Sequence, residues 1–177
     1  SVYTQLSELS RLIGLISSVK LENEQIVILH TYTHEQENQS ENFQQIKSIC
    51  SSHADTYETF HFQNRLADLK NYLNSLANNE YILNFDADEF ASVDTIKTWK
   101  KKIEENDNDL YYIPRVNTVE NYTLEDIEKY NWNINANGWI NWPDYQPRIF
   151  KNNGKIKWSG NVHEQLIGHE KAIALTQ

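Results

Sequence analysis

The chain has a single cysteine, Cys50, so no disulfide can form within it. That fits a reducing compartment. Cys50 closes an apolar helical pattern, which reads as a small buried side chain rather than a nucleophile. No apolar run approaches the ~20 residues of a membrane-spanning helix. No secretory signal is visible, so a cytoplasmic location is expected. Basic residues are scarce: 16 Lys and Arg stand against 25 Asp and Glu, a formal net charge of -9. With no basic stripe, a broad nucleic-acid surface is excluded. There is no linker and no internal repeat. Two sequons, at Asn38 and Asn121, read as accidents of an Asn-rich chain.

What remains is 177 residues, 39% hydrophobic and 12% aromatic, enough for one domain with a substantial core. The aromatic share argues against disorder. We expect a single compact domain over 1–177, with a nucleotide-binding half (1–106) and a second half (107–177) that completes the site.

Helical spacing of Leu6, Leu9, Ile13, Ile16 and Val19 predicts a first helix. Ser1 to Gln5 reads as the stub of a strand before it. Gln25–Leu29 is β-branched and apolar, a buried strand ending at His30. Phe43, Ile46 and Ile49 mark a second helix, and Thr56–Phe62 alternates as a short strand. Leu66, Leu69, Leu73 and Leu76 mark a third helix. Ser92 caps a fourth that carries Val93, Ile96, Trp99 and Ile103. Leu110–Val119 reads as a strand, with Pro114 at an edge or bulge. Beyond Asn131, tryptophans among Asn, Gly and Pro predict short strands and loops around the mouth of the sheet. Strands alternate with helices through the first half, which predicts an α/β fold with a mostly parallel central sheet.

The densest chemical signal is Tyr81-Ile82-Leu83-Asn84-Phe85-Asp86-Ala87-Asp88-Glu89-Phe90. A buried strand ends abruptly in three carboxylates. Ligands of open α/β sheets sit just beyond such strand ends. Carboxylates clustered there repel one another unless a cation joins them, and hard divalent cations often carry substrate phosphates. A plainer reading is that Asp86, Asp88 and Glu89 cap the next helix.

The segment from Leu66 through Phe90, with Lys70-Asn71 on a helix ahead of this run, and a second block resemble the family 2 glycosyltransferases. The second block is Trp142-Pro143-Asp144-Tyr145-Gln146-Pro147-Arg148-Ile149-Phe150, followed by Trp158-Ser159-Gly160-Asn161-Val162-His163-Glu164. The likeness is greatest to the lipopolysaccharide-core and peptide-modifying branch. It implies a GT-A fold, a nucleotide-sugar donor, inversion at the anomeric carbon, and Mn²⁺ or Mg²⁺. Asp88 would ligate the metal directly, with Asp86 holding ribose or a metal-bound water. His163 would complete the metal site. Lys70 and Arg148 would face the diphosphate, and Asp144 would be the catalytic base. The donor implied is a UDP-hexose, glucose or galactose. The acceptor is a hydroxyl of a saccharide, a lipid-linked group or a peptide. Little acceptor domain is present, so an open acceptor side and homo-oligomerisation are expected.

One departure stands out. The family often ends its second strand with Asp-Thr-x-Ser, whereas this chain has His30-Thr31-Tyr32-Thr33-His34-Glu35. Uridine recognition is therefore open. His30 and His34 have the spacing of helical zinc ligands, but they follow a strand, which argues against zinc.

Each residue also has a structural alternative. His163 reads equally as a half-buried histidine, Asp144 as a turn residue beside Pro143, and Lys70 and Arg148 as surface cations. Trp139, Trp142 and Trp158 read as packing. Rival functions are a non-catalytic domain that binds metal, nucleotide or carbohydrate, a nucleotidyltransferase, and an aspartyl phosphohydrolase. The last two lack their expected motifs.

Overall fold

The structure is a computed structural model that describes residues 6–34, 37–63, 65–161 and 163–176. The strand stub expected at Ser1–Gln5 lies outside the described residues. The first four helices form where apolar spacing places them: α1 (Leu6–Val19), α2 (Glu41–His53), α3 (Leu66–Ser75) and α4 (Val93–Glu105). Ser40 and Ser92 cap α2 and α4, their side chains accepting from the Phe43 and Thr95 amides at 3.1 and 3.0 Å. Those bonds satisfy amides that the helices leave without partners.

The strands of the first half are β1 (Val27–Tyr32), β2 (Thr56–His61) and β3 (Tyr81–Leu83). β1 and β2 pair in parallel, Val27 opposite Thr56 through Tyr32 opposite His61. β3 belongs to a second sheet with β4 (Leu110–Asn117), β5 (Ile140–Lys151) and β8 (Ala172–Ala174), in the order β3-β5-β4-β8. β5 runs antiparallel to β3 and β4, and β8 runs parallel to β4. A small hairpin, β6 (Lys157–Ser159) with β7 (Gln165–Ile167), packs beside α3. The fold is α/β with mixed sheets.

The second half differs from the expected short strands and loops. β5 is 12 residues long and lies between β3 and β4. Pro143 and Pro147 make it read as a loop. They fit because β3 pairs only with Ile149–Lys151, so neither proline meets a β3 partner on that side of β5. Pro114 lies between two register shifts of β4 and beyond the residues that β8 covers. Its missing N–H therefore costs no ladder bond there.

Alternation along β4 and β5 builds two core layers. Leu110 and Phe150 pack with Ala67, Ile82, Trp158 and Leu166 on the α3 face. Tyr111 and Ile149 pack with Ile113 and, on the α4 face, Trp99 and Ile103. Phe150 is 1% exposed, so truncation to Ala would cost about 3–5 kcal/mol. Cys50 is buried with Ile13 and Ile46, and burial pushes its thiol up to about 11, out of nucleophilic range. β1 and β3 share no ladder. A cavity of about 620 Å³, walled by α1, α2 and α4, lies between them.

Candidate functional site

The site grows from the end of β3. After Leu83 the chain stays tied to β5, the Asn84 amide donating to the Arg148 carbonyl at 2.8 Å. Then it turns. The Glu89 amide donates to the Asp86 carbonyl at 3.0 Å, and the Asp86 amide donates to Glu89 Oε2 at 3.1 Å. This reciprocal pair fixes the acidic turn and leaves Asp86 and Asp88 exposed. Asp88 has no hydrogen bond or ion pair with a described residue.

β5 and β4 bring two arginines to this turn. Arg148 Nη2 donates to Asp86 Oδ2 at 3.1 Å and also to Glu89 Oε1. Arg115 Nη1 lies 3.8 Å from Glu89 Oε1. Burial pushes the Glu89 carboxyl above its ordinary range, and the Arg148 guanidinium opposes that shift only in part.

Asp144 stands opposite Arg115 in the β4–β5 register. Its Oδ2 accepts from Arg115 Nε and Nη2 at 3.0 and 2.7 Å and from Asn117 at 2.9 Å. Its Oδ1 accepts from Gln146 at 2.7 Å. Burial works to raise its pKa, but these hydrogen bonds outweigh it and hold Asp144 below the usual carboxylate range. It is a structured ladder residue rather than a turn residue.

Opposite the acidic turn, Lys70 on α3 lies 3.4 Å from Glu164 and over the Trp158 ring, 4.3 Å from its centroid. His163 is exposed with a left-handed backbone, φ 59°. Val162 lies outside the described residues. Lys70, Asp86, Arg115, Arg148, His163 and Glu164 line one pocket of about 410 Å³. Four of the residues singled out from sequence therefore share a cavity. Asp88 and Asp144 flank it without lining it. Arg115, Asn117 and Gln146 were missed; the β4–β5 register brings Arg115 and Asn117 to Asp144, and Gln146 stands two residues along the same strand.

At the end of β1, His30 is committed to packing. It stacks on Phe43 at 3.8 Å, and its Nδ1 meets the Tyr57 hydroxyl at 2.9 Å. Burial lowers its pKa to about 4, so it is neutral at physiological pH.

No family model and no curated protein matches this chain. The fold does match a solved structure, S. aureus TarS 1–349, a glycosyltransferase, with a TM-score of 0.59 at 11% identity. The match covers 95% of this chain and 54% of that one, so this chain spans about half its length. The α/β fold is like that of this neighbour. Among the described residues, no helix is long and apolar enough to cross a membrane.

The exposed carboxylates at the end of β3 raise the question of a metal. Among the described residues, no three His, Cys, Asp or Glu side chains converge as a complete metal cage. The donor set still suits a hard cation shared with a substrate. Asp86 and Asp88 offer exposed carboxylate oxygens, and Mg²⁺-like ions commonly use one or two carboxylates plus substrate phosphates. Charge points the same way. When all are ionised, Asp86, Asp88, Glu89, Asp144 and Glu164 outnumber Lys70, Arg115 and Arg148 by two.

Proposed function

We propose that the chain is an inverting glycosyltransferase domain that moves a hexose from a UDP-sugar, glucose or galactose, to an acceptor hydroxyl. The acceptor belongs to a saccharide, a lipid-linked group or a peptide. The observation that carries this reading is the pocket at the end of β3, where Lys70, Arg148 and His163 stand beside Asp86. It pairs phosphate-seeking cations with a cation-seeking carboxylate, the combination a nucleoside diphosphate and its metal require.

Mn²⁺ or Mg²⁺, when bound, offsets the negative charge that gathers on the leaving phosphate. Asp86 and Asp88 supply oxygen ligands, and His163 lies on the same pocket as Asp86 to complete them. Lys70 binds the diphosphate as a point charge and Arg148 as a planar fork. Asp144 receives the acceptor proton through Oδ1, whose single donor among the described residues is Gln146. Its Oδ2 stays on Arg115 and Asn117, which fix its orientation.

The test is release of UDP from UDP-glucose and UDP-galactose in Mn²⁺, across a panel of acceptors. Wild type should turn over at least one donor. Asp144→Asn should still bind UDP and lose roughly 10²–10⁴-fold in rate, the usual share of a general base. A second reading, a domain that only binds, is favoured by one observation: both Asp144 oxygens already accept hydrogen bonds. UDP bound without release of sugar from any donor would establish it instead.

A further inference from the structure

We propose that Arg148 is an exchangeable counter-ion: in the free protein it neutralises Asp86 and Glu89, and on donor binding it swings to the phosphate and leaves Asp86 to the divalent cation. This rests on the donor reading above and adds a role that the reading does not need.

Three observations carry it. First, the backbone of Arg148 is fixed. Its carbonyl accepts from the Asn84 amide, and the next residue, Ile149, is 0% exposed. Only the side chain is free to change partners. Second, the guanidinium is underused. Its side chain is 12% exposed, yet both of its ion pairs run through Nη2 alone, and Nε and Nη1 donate to no described residue. A guanidinium has five N–H donors, and Nε and Nη1, which are not among the buried atoms left without a partner, are open to solvent or to a ligand. Because Arg148 lines the pocket with Lys70 and His163, a phosphate there would supply acceptors in fork geometry. Third, Asp86 has one partner cation and is itself 56% exposed, so the carboxylate is open to a second cation from solvent. Glu89 would not be stranded by the exchange, because Arg115 lies 3.8 Å away.

The exchange makes an opposed prediction. A cation that binds Asp86 in the free protein must compete with Arg148, so metal alone binds weakly. Nucleotide removes the competitor, so metal and nucleotide bind cooperatively. Removing the Arg148 charge should therefore strengthen one ligand and weaken the other.

The experiment is calorimetric titration of Mn²⁺ alone, and of UDP in saturating Mn²⁺, into wild type, Arg148→Gln and Arg148→Lys. Charge-assisted hydrogen bonds set the expected scale. Arg148→Gln should bind Mn²⁺ roughly 10- to 100-fold more tightly and UDP roughly 10- to 100-fold more weakly. Arg148→Lys keeps the charge and loses the fork, so it should bind Mn²⁺ like wild type and UDP more weakly. Should Arg148→Gln fail to fold, the Lys variant tests the same claim, since weakened UDP with unchanged Mn²⁺ supports it. Mn²⁺ affinity unchanged in Arg148→Gln, or both affinities falling together in either variant, would overturn the exchange while leaving the donor reading intact. Wild type that takes up no UDP with or without Mn²⁺ would remove the donor reading itself.

Discussion

Asp109 shows how one carboxylate can fasten a strand. Its Oδ2 accepts from the Glu170 and Lys171 amides at 2.9 and 3.1 Å, just before β8, and Lys151 Nζ lies 3.3 Å from its Oδ1. The two amide hydrogen bonds, then Lys151, hold its pKa at about 2, against the ordinary aspartate value of 3.8. A carboxyl with a depressed folded pKa stabilises most above its unfolded value. That contribution is lost as pH falls through the folded one. The stability difference between wild type and Asp109→Asn should thus be constant at neutral pH. It should shrink as pH drops from 3.8 towards 2. Denaturant unfolding of both proteins along a pH series measures this, and a difference that persists undiminished at the acid end would contradict the assignment. At this scale the sequence was legible where a residue type announces its chemistry. Asp86, His163, Lys70 and Arg148 could be singled out and do share a pocket. Arg115 could not, because nothing local in Ile113-Pro114-Arg115 says that a bulged register will set it against Asp144.

At the scale of elements, the four long helices follow directly from apolar spacing, and Ser92 caps α4 as its position predicts. α5 (Leu124–Tyr130) escaped because it buries no residue and so has no apolar face to read. Its signal was the capping pair Thr123 and Asp126, which bond reciprocally. β5 escaped for the opposite reason. Its two prolines mark a break in most strands, and only its position against a short β3 makes them tolerable. The ladders themselves differ in support. β4 is paired on both sides over Leu110–Tyr112 and flanked by two core layers, while β1 has a single partner and faces the cavity. Local opening follows such differences in burial and pairing. Amides of Val27–Tyr32 should therefore exchange with solvent faster than those of Leu110–Tyr112. Hydrogen exchange read by mass spectrometry or NMR tests this, and equal protection of the two strands would show that the sheets open as one unit.

At the scale of the whole molecule, the order of strands and helices predicted an α/β fold, and the architecture is one. The division into separate sheets was not legible, because strand order depends on contacts between distant segments that no local pattern records. The candidate pocket is assembled in the same non-local way. α3 supplies Lys70, the turn after β3 supplies Asp86, β4 and β5 supply Arg115 and Arg148, and the β6–β7 turn supplies His163 and Glu164. The chain is acidic overall, at -9, so under the proposed function an anionic donor would be drawn in by local cations and a metal rather than by the general field. The central claim is that this pocket holds a nucleoside diphosphate together with a divalent cation. Calorimetric binding of UDP with and without Mn²⁺ tests it most directly. Binding that requires the metal, and is lost in Asp86→Ala, is the predicted result; no binding under either condition, or binding indifferent to the metal and to Asp86, would contradict it.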